Sequence, residues 1–149
     1  MIVRALEVLP SELRQGLRLH LYDESGMEPT GIAIYSLADP RDARASRYVG
    51  QTVCPRGRLL QHVRTARLAL PGETPWWVRA PQLRPLYSWI RDLYLKEGRL
   101  PVMLVHAWVG PEHAHQAERA RIRAALEQGL PLLNLAICQM STAPACAVS

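Results

Sequence analysis

No apolar run in this 149-residue chain approaches the ~20 residues that a membrane-spanning helix needs. The longest, Val102 to Val109, is short and interrupted by His106. The first residues carry Arg4 and Glu7 and lack the apolar core of a secretory signal, so a cytoplasmic location is expected. Cysteine is scarce: Cys54, Cys138 and Cys146 are an odd number with no Cys-x-x-Cys pair, which fits neither a disulfide framework nor a zinc site. Free thiols in a reducing compartment are expected. No glycine-rich phosphate loop, dinucleotide fingerprint or His-Glu-x-x-His helix occurs. Ser11, Ser36 and Ser88 lack the elbow setting of a hydrolase nucleophile. No internal repeat or low-complexity tract is visible. Phenylalanine is absent while tryptophan occurs four times, a bias that by itself excludes nothing.

What is present is a basic, core-forming composition. Hydrophobic residues make up 48% and charged residues 21%, which favours a globular chain over a disordered one. The length suits one domain with a real core. The formal charge is +5. That balance suits polyanionic partners and equally serves solubility. Its distribution is more informative, because Arg41, Arg44, Arg47, Arg56, Arg58, Arg64 and Arg67 share one stretch.

The chain is read as an N-terminal extension (1–30), a domain (31–136), whose bounds are those of the family resemblance given below, and a tail (137–149). In the extension, Val3 to Leu9 reads as a strand or a short helix, Ser11 as a cap for a helix from Glu12, and Leu17 to Leu21 as a strand. Gly31 to Leu37 reads as a buried strand, 38–46 as a polar loop and Arg47 to Gln51 as a second strand pairing with the first as a hairpin. Thr52 is a candidate cap for a helix that opens near Pro55 and runs to about Leu70, with Leu59, Val63, Ala66 and Leu70 as its apolar stripe. A proline-rich loop holds Trp76 and Trp77, which could stack on bases but fit a core cover better. A second helix follows over Leu86 to Glu97, with Leu86, Ile90, Leu93 and Tyr94 on one side and Gly98 as its stop. A third strand spans Val102 to Val109, and a last helix runs from about His113 to Gln128. The expected fold is α+β: a small, mainly antiparallel central sheet with a β-β-α-α-β-α core, flanked by helices.

Several residues stand out chemically. Glu118 precedes Ile122 by one turn and shares the stripe of Ile122, Ala125 and Leu126. A buried carboxylate is costly unless it is paired or bound to a cation. Two readings stay open: an ion pair with an arginine such as Arg58, or metal ligation. Arg58 and His62 lie four apart and share a helix face. They either face solvent or hold a phosphate, the guanidinium as a donor fork and the imidazole as a proton carrier. Tyr35 and Tyr48 suit packed strands. Gly50, on the same strand face as Tyr48, leaves room for a backbone or ligand to approach. His106 reads as a satisfied core or edge histidine, and His113 and His115 as solvated.

Taken in order, these pieces resemble the GIY-YIG nuclease superfamily. Ala33-Ile34-Tyr35 stands for Gly-Ile-Tyr and Tyr48-Val49-Gly50 for Tyr-Ile-Gly. Arg58, His62, Glu118 and the asparagine of Leu132-Leu133-Asn134 follow in turn. The run from Tyr48 to Pro55, ending in Gln61-His62, is similar to the structure-specific junction-nuclease branch. Ala33 replaces the first glycine, the loop between the tyrosines is somewhat long, and no further DNA-targeting module follows. The resemblance implies a metal-dependent DNA endonuclease. Tyr35, helped by Tyr48, would activate water, Arg58 would clamp the phosphate, and His62 would assist proton transfer. Glu118 would bind one Mg²⁺ or Mn²⁺. Gly50, Arg56, Arg64 and Asn134 would make up the substrate-contacting set, with Asn134 bracing more than reacting. DNA, branched or otherwise structured, is the expected partner, with a protein partner supplying targeting. The alternative is a non-catalytic nucleic-acid- or partner-binding module on the same fold.

Overall fold

The computed structural model describes residues 4–8, 19–66 and 72–134. Five strands and three α-helices follow in the order β1 (Arg4–Val8), β2 (Leu19–Asp23), β3 (Ile32–Ala38), β4 (Tyr48–Thr52), α1 (Pro55–Thr65), α2 (Arg84–Glu97), β5 (Val102–Val109) and α3 (Pro111–Glu127). From β3 onward this is the expected β-β-α-α-β-α order, and the fold is α+β. The sheet order is β1-β2-β5-β3-β4. β1–β2, β3–β4 and β3–β5 pair antiparallel, while β2–β5 is parallel. The N-terminal extension therefore joins the sheet, and Leu19 and Leu21 enter the core from β2.

The sheet separates two layers. Alternation along β3 and β4 sends Ala33, Tyr35 and Leu37 toward α1 and α2, where they meet Leu59, Val63, Leu86 and Ile90. Ile34 and Val49 point the other way and pack with Ile122, Ala125 and Leu132 beneath α3. Nearly every β3 position is buried because helices cover both faces. Truncating Ile90 or Ile122, both fully buried, to alanine costs about 2–5 kcal/mol.

The helix stripes fall where the periodicity puts them, with local differences. Thr52 does not cap α1. Cys54 holds the N-cap position without a side-chain bond, and Thr52 instead accepts a hydrogen bond from the Cys54 N–H at 3.1 Å. The helix ends at Thr65; residues 67–71, including Leu70 of the expected stripe, lie outside the described residues. Gly98 stops α2 in the left-handed region at φ 64°, a conformation that glycine adopts without steric penalty. The two tryptophans divide. Trp77 is buried and donates from Nε1 to the Thr65 carbonyl at 2.7 Å, while Trp76 is exposed. On α3, Leu126 turns to solvent rather than joining Ile122 and Ala125. The expected helix from Glu12 and the tail 137–149 also lie outside the described residues. Among the described residues, no helix is long and apolar enough to cross a membrane.

β4 is an edge strand, and the chain covers it. The Leu133 N–H donates to the Arg47 carbonyl at 2.6 Å. The Asn134 side chain then takes both outward backbone groups of Val49: Nδ2 donates to the carbonyl at 2.7 Å and Oδ1 accepts from the N–H at 3.1 Å. A side-chain amide thus acts as one rung of a further strand and satisfies groups that an open edge would expose.

Candidate active site

A cleft of ≈ 280 Å³ opens at this β4 edge, where side chains from both layers meet. Its wall includes Tyr48 from β4, Arg58 and His62 from α1, Tyr87 from α2, Glu118 from α3, and Asn134. Five of the residues singled out in the sequence therefore converge across roughly ninety positions of chain.

The spacing of Arg58 and His62 explains their shared wall, since positions four apart on a helix project to one side. His62 is deeply inserted, with 2% of its surface exposed. Its Nε2 lies 2.8 Å from the Tyr35 hydroxyl and its Nδ1 lies 3.1 Å from the Tyr87 hydroxyl. Burial, reinforced by the Arg58 charge, pulls the His62 pKa down to about 4, so the ring is neutral at pH 7. Tyr87 also hydrogen-bonds the Thr65 side chain, which lowers its pKa against the larger raising effect of burial. A neutral imidazole thus sits clamped between two phenols.

Tyr35 stands behind this wall rather than in it. It is 1% exposed and does not line the cleft. Gly50 makes room for it: a Cβ added at Gly50 would lie 2.6 Å from the Tyr35 hydroxyl oxygen. The space over Gly50 is therefore filled by a phenol, not left for a ligand, which corrects the expectation that Gly50 contacts substrate. Burial drives the Tyr35 pKa far upward, assisted by the neighbouring Tyr48. Tyr48 differs. It lines the cleft, and its pKa is pushed up to about 12 by burial and then by the Glu118 charge, against a lowering by Arg58.

Glu118 is half-buried, and desolvation raises its pKa, opposed by a hydrogen bond with the Gln51 side chain and by His115. The ion pair weighed for it does not form. Among the described residues, no salt bridge within 4.0 Å joins Glu118 to Arg58 or to any other cation. Two opposite charges share one cleft without neutralising each other. Among the described residues, no group of three or more His, Cys, Asp and Glu side chains could hold a metal. A single carboxylate suits a hard cation that keeps most of its water, such as Mg²⁺, and not a zinc ion that needs three or four protein ligands.

The remaining assignments separate. Asn134 reaches the cleft while fastening Val49, which makes it a brace. Arg56 is exposed at the start of α1 and borders a different, apolar hollow with Leu21, Val53 and Trp108. Arg64 is exposed and outside the cleft wall. His113 and His115 are exposed. Sequence reasoning missed Tyr87 and Gln51. Tyr87 was findable, because it precedes Ile90 by three residues and shares its inward stripe. Comparison with protein-family models, curated proteins and solved structures gives no match for this chain.

Proposed function

We propose that the protein is a metal-dependent DNA endonuclease that hydrolyses phosphodiester bonds in the β4-edge cleft. One observation carries this reading: among the described residues, Arg58 and Glu118 face the same cleft without an ion pair, beside a neutral histidine clamped by two phenols. A guanidinium with no carboxylate on it is available to a phosphate and can stabilise the extra negative charge of the transition state. Glu118 would hold Mg²⁺ or Mn²⁺, and the cation would supply charge neutralisation at the leaving oxygen.

The chain's own groups cover the remaining roles. Tyr48 presents its hydroxyl to the cleft and orients the attacking water. The Glu118 charge is, after burial, a cause of its high pKa, so neutralising that carboxylate lowers the pKa and makes the phenol a better proton donor. Both nitrogens of the neutral His62 ring are on phenols, so a proton released by that water would reach the ring through the Tyr87 hydroxyl, which lines the cleft and passes its own proton to Nδ1 as it takes up the one from water. Tyr35, shut off from the cleft, acts through His62 by fixing the ring's position. Tyr87 fixes it from the other nitrogen.

The test is incubation with supercoiled, linear, branched and single-stranded DNA in Mg²⁺ or Mn²⁺, with a chelator control. Cutting of at least one substrate that the chelator stops is expected. Folded protein that binds DNA equally with and without chelator and cuts nothing would replace the nuclease with a binding module on this fold.

A further inference from the structure

The opposite face of the sheet carries a second polar cluster, unrelated to the cleft. Ser36 follows Tyr35 in β3 and points under α3. Its Oγ lies 2.7 Å from His106 Nε2, and His106 Nδ1 lies 3.0 Å from Glu24 Oε1. A carboxylate beside Nδ1 places the proton there, so Nε2 accepts from the serine hydroxyl. Burial, with the Arg121 charge second, lowers the His106 pKa to about 4, which agrees with a neutral ring. His106 reaches this position because β5 bulges. Ile34 pairs with Ala107 and Tyr35 with Val105, leaving His106 as the extra residue. A bulge re-aims the side chain it carries.

The order serine, histidine, glutamate has the contacts of a nucleophilic triad, yet no substrate can reach it. Ser36 is fully buried and borders no part of the adjoining cavity. What faces that cavity is a set of cations and neutral donors. The cavity measures ≈ 230 Å³ and is walled by Glu24, Arg44, Ser46, His106, Arg121 and Gln128, with apolar neighbours. Glu24 is already engaged, by His106 and by Arg44 at 3.0 Å. Arg121 has no hydrogen bond or ion pair within 4.0 Å among the described residues; burial pulls its pKa down, against a smaller raising effect of the Glu24 charge. A guanidinium stays charged regardless. The charged wall is therefore two arginines against one glutamate, a surplus of one positive charge, with a hydroxyl and an amide beside it.

We propose that this pocket binds a single phosphate group, held by Arg121 and Arg44 and oriented by Ser46 and Gln128. The carboxylate that acts on Arg121, Glu24, is already engaged by His106 and Arg44, so the partly desolvated guanidinium is under-compensated, and an oxyanion in the pocket offsets that cost. The volume lies below the ~300–1,000 Å³ of drug-sized sites, which fits one small anion. The inference stands apart from the chemistry of the cleft, since neither Arg121 nor Arg44 lines the cleft and neither Arg58 nor Glu118 lines the pocket.

The experiment is a titration of the whole ¹⁵N-labelled protein with inorganic phosphate at low salt, read by amide shifts. Ser46 and Ala125 report on this pocket, and Tyr48 and Arg58 on the cleft. The pocket amides should shift and saturate in the native protein. In Arg121→Ala they should respond at least tenfold more weakly, with the cleft amides unaffected. Arg121→Lys should restore part of the response, which separates lost charge from lost packing. Pocket amides that stay still in the native protein, or respond equally in Arg121→Ala, would overturn the proposal. A second arm uses a short DNA duplex. If the phosphate belongs to a nucleic-acid backbone, Arg121→Ala reduces the salt slope of binding by about 1. An unchanged slope with a lost phosphate response identifies a free phosphoryl ligand.

Discussion

Tyr35 and Ser36 are neighbours in β3 and point to opposite faces, and each is hydrogen-bonded to a buried histidine. On one side Tyr35 meets His62 at 2.8 Å; on the other Ser36 meets His106 at 2.7 Å. Burial lowers both histidine pKa values to about 4. The difference lies in the carboxylates. Glu24 is consumed by His106 and Arg44, whereas Glu118 shares its cleft with Arg58 and pairs with no cation among the described residues. The first arrangement leaves only positive charge to spare. The second leaves both signs exposed to a ligand, which is what a phosphate accompanied by a cation requires. A buried neutral histidine is thus not itself a sign of catalysis; what matters is whether the nearby charges have already been spent on each other.

The largest contrast should appear in cleavage. Arg58→Ala removes the cation proposed to face the phosphate and should lower the cutting rate by about 10²–10³ or more while the circular dichroism spectrum is kept. Arg121→Ala, on the other face, should leave the rate on short linear substrate within a few-fold. Equal losses from both would erase the distinction between the faces.

Acid stability comes next. His62 ordinarily titrates at 6.5 and in the folded protein at about 4. Between those values the unfolded chain binds a proton that the folded one refuses, so stability is complete above pH 6.5 and falls as pH drops toward 4. At ~1.4 kcal/mol per pH unit, this window is worth on the order of 3 kcal/mol for His62. His106 acts in the same direction. Glu118, with its raised pKa, acts in the opposite one, favouring the folded state as it takes up its proton. Urea unfolding from pH 7 to 4 should show this loss, and His62→Asn and His106→Asn should each flatten it. A variant with an unchanged slope marks a histidine that is not held neutral by the fold.

Three smaller effects sharpen the comparison. Tyr87→Phe removes the Nδ1 partner of His62 and should lower kcat about tenfold with KM nearly unchanged, at ~1 kcal/mol of stability. Ser36→Ala removes the Nε2 partner of His106 and should cost a similar stability with no change in kcat. Asn134→Ala leaves the Val49 N–H and carbonyl without partners and should destabilise by ~1–3 kcal/mol, read by thermal unfolding.

The elements were legible because burial imposes period. The stripe of Leu59, Val63 and Ala66, the Gly98 stop and the alternation in β3 follow from one-dimensional pattern, and so did the convergence of Arg58 and His62. Other features depend on what lies across the fold. Tyrosine suits a core and a cleft wall equally, so nothing in the sequence placed Tyr35 behind and Tyr48 in front. Gly50 signals close approach but not that the visitor is Tyr35. The run Val102 to Val109 is almost uniformly apolar, so it hides the bulge that turns His106 toward Ser36. Ile122 and Ala125 mark the inward side on which Glu118 lies, although Leu126 of the same expected stripe is exposed; whether Arg58 neutralises Glu118 is decided by the geometry of α1 and α3 around β4, which spacing does not encode. The parallel β2–β5 pairing is long-range and leaves no local mark.

The most direct test of the account is single-turnover nicking of supercoiled DNA in Mg²⁺ by the native protein and by Glu118→Gln, which keeps the side chain's shape and its contact with Gln51 while removing the negative charge. The account predicts nicking by the native protein that chelator abolishes, and a loss of about 10² or more in Glu118→Gln. Native-like nicking by Glu118→Gln, or none by folded native protein, would contradict it.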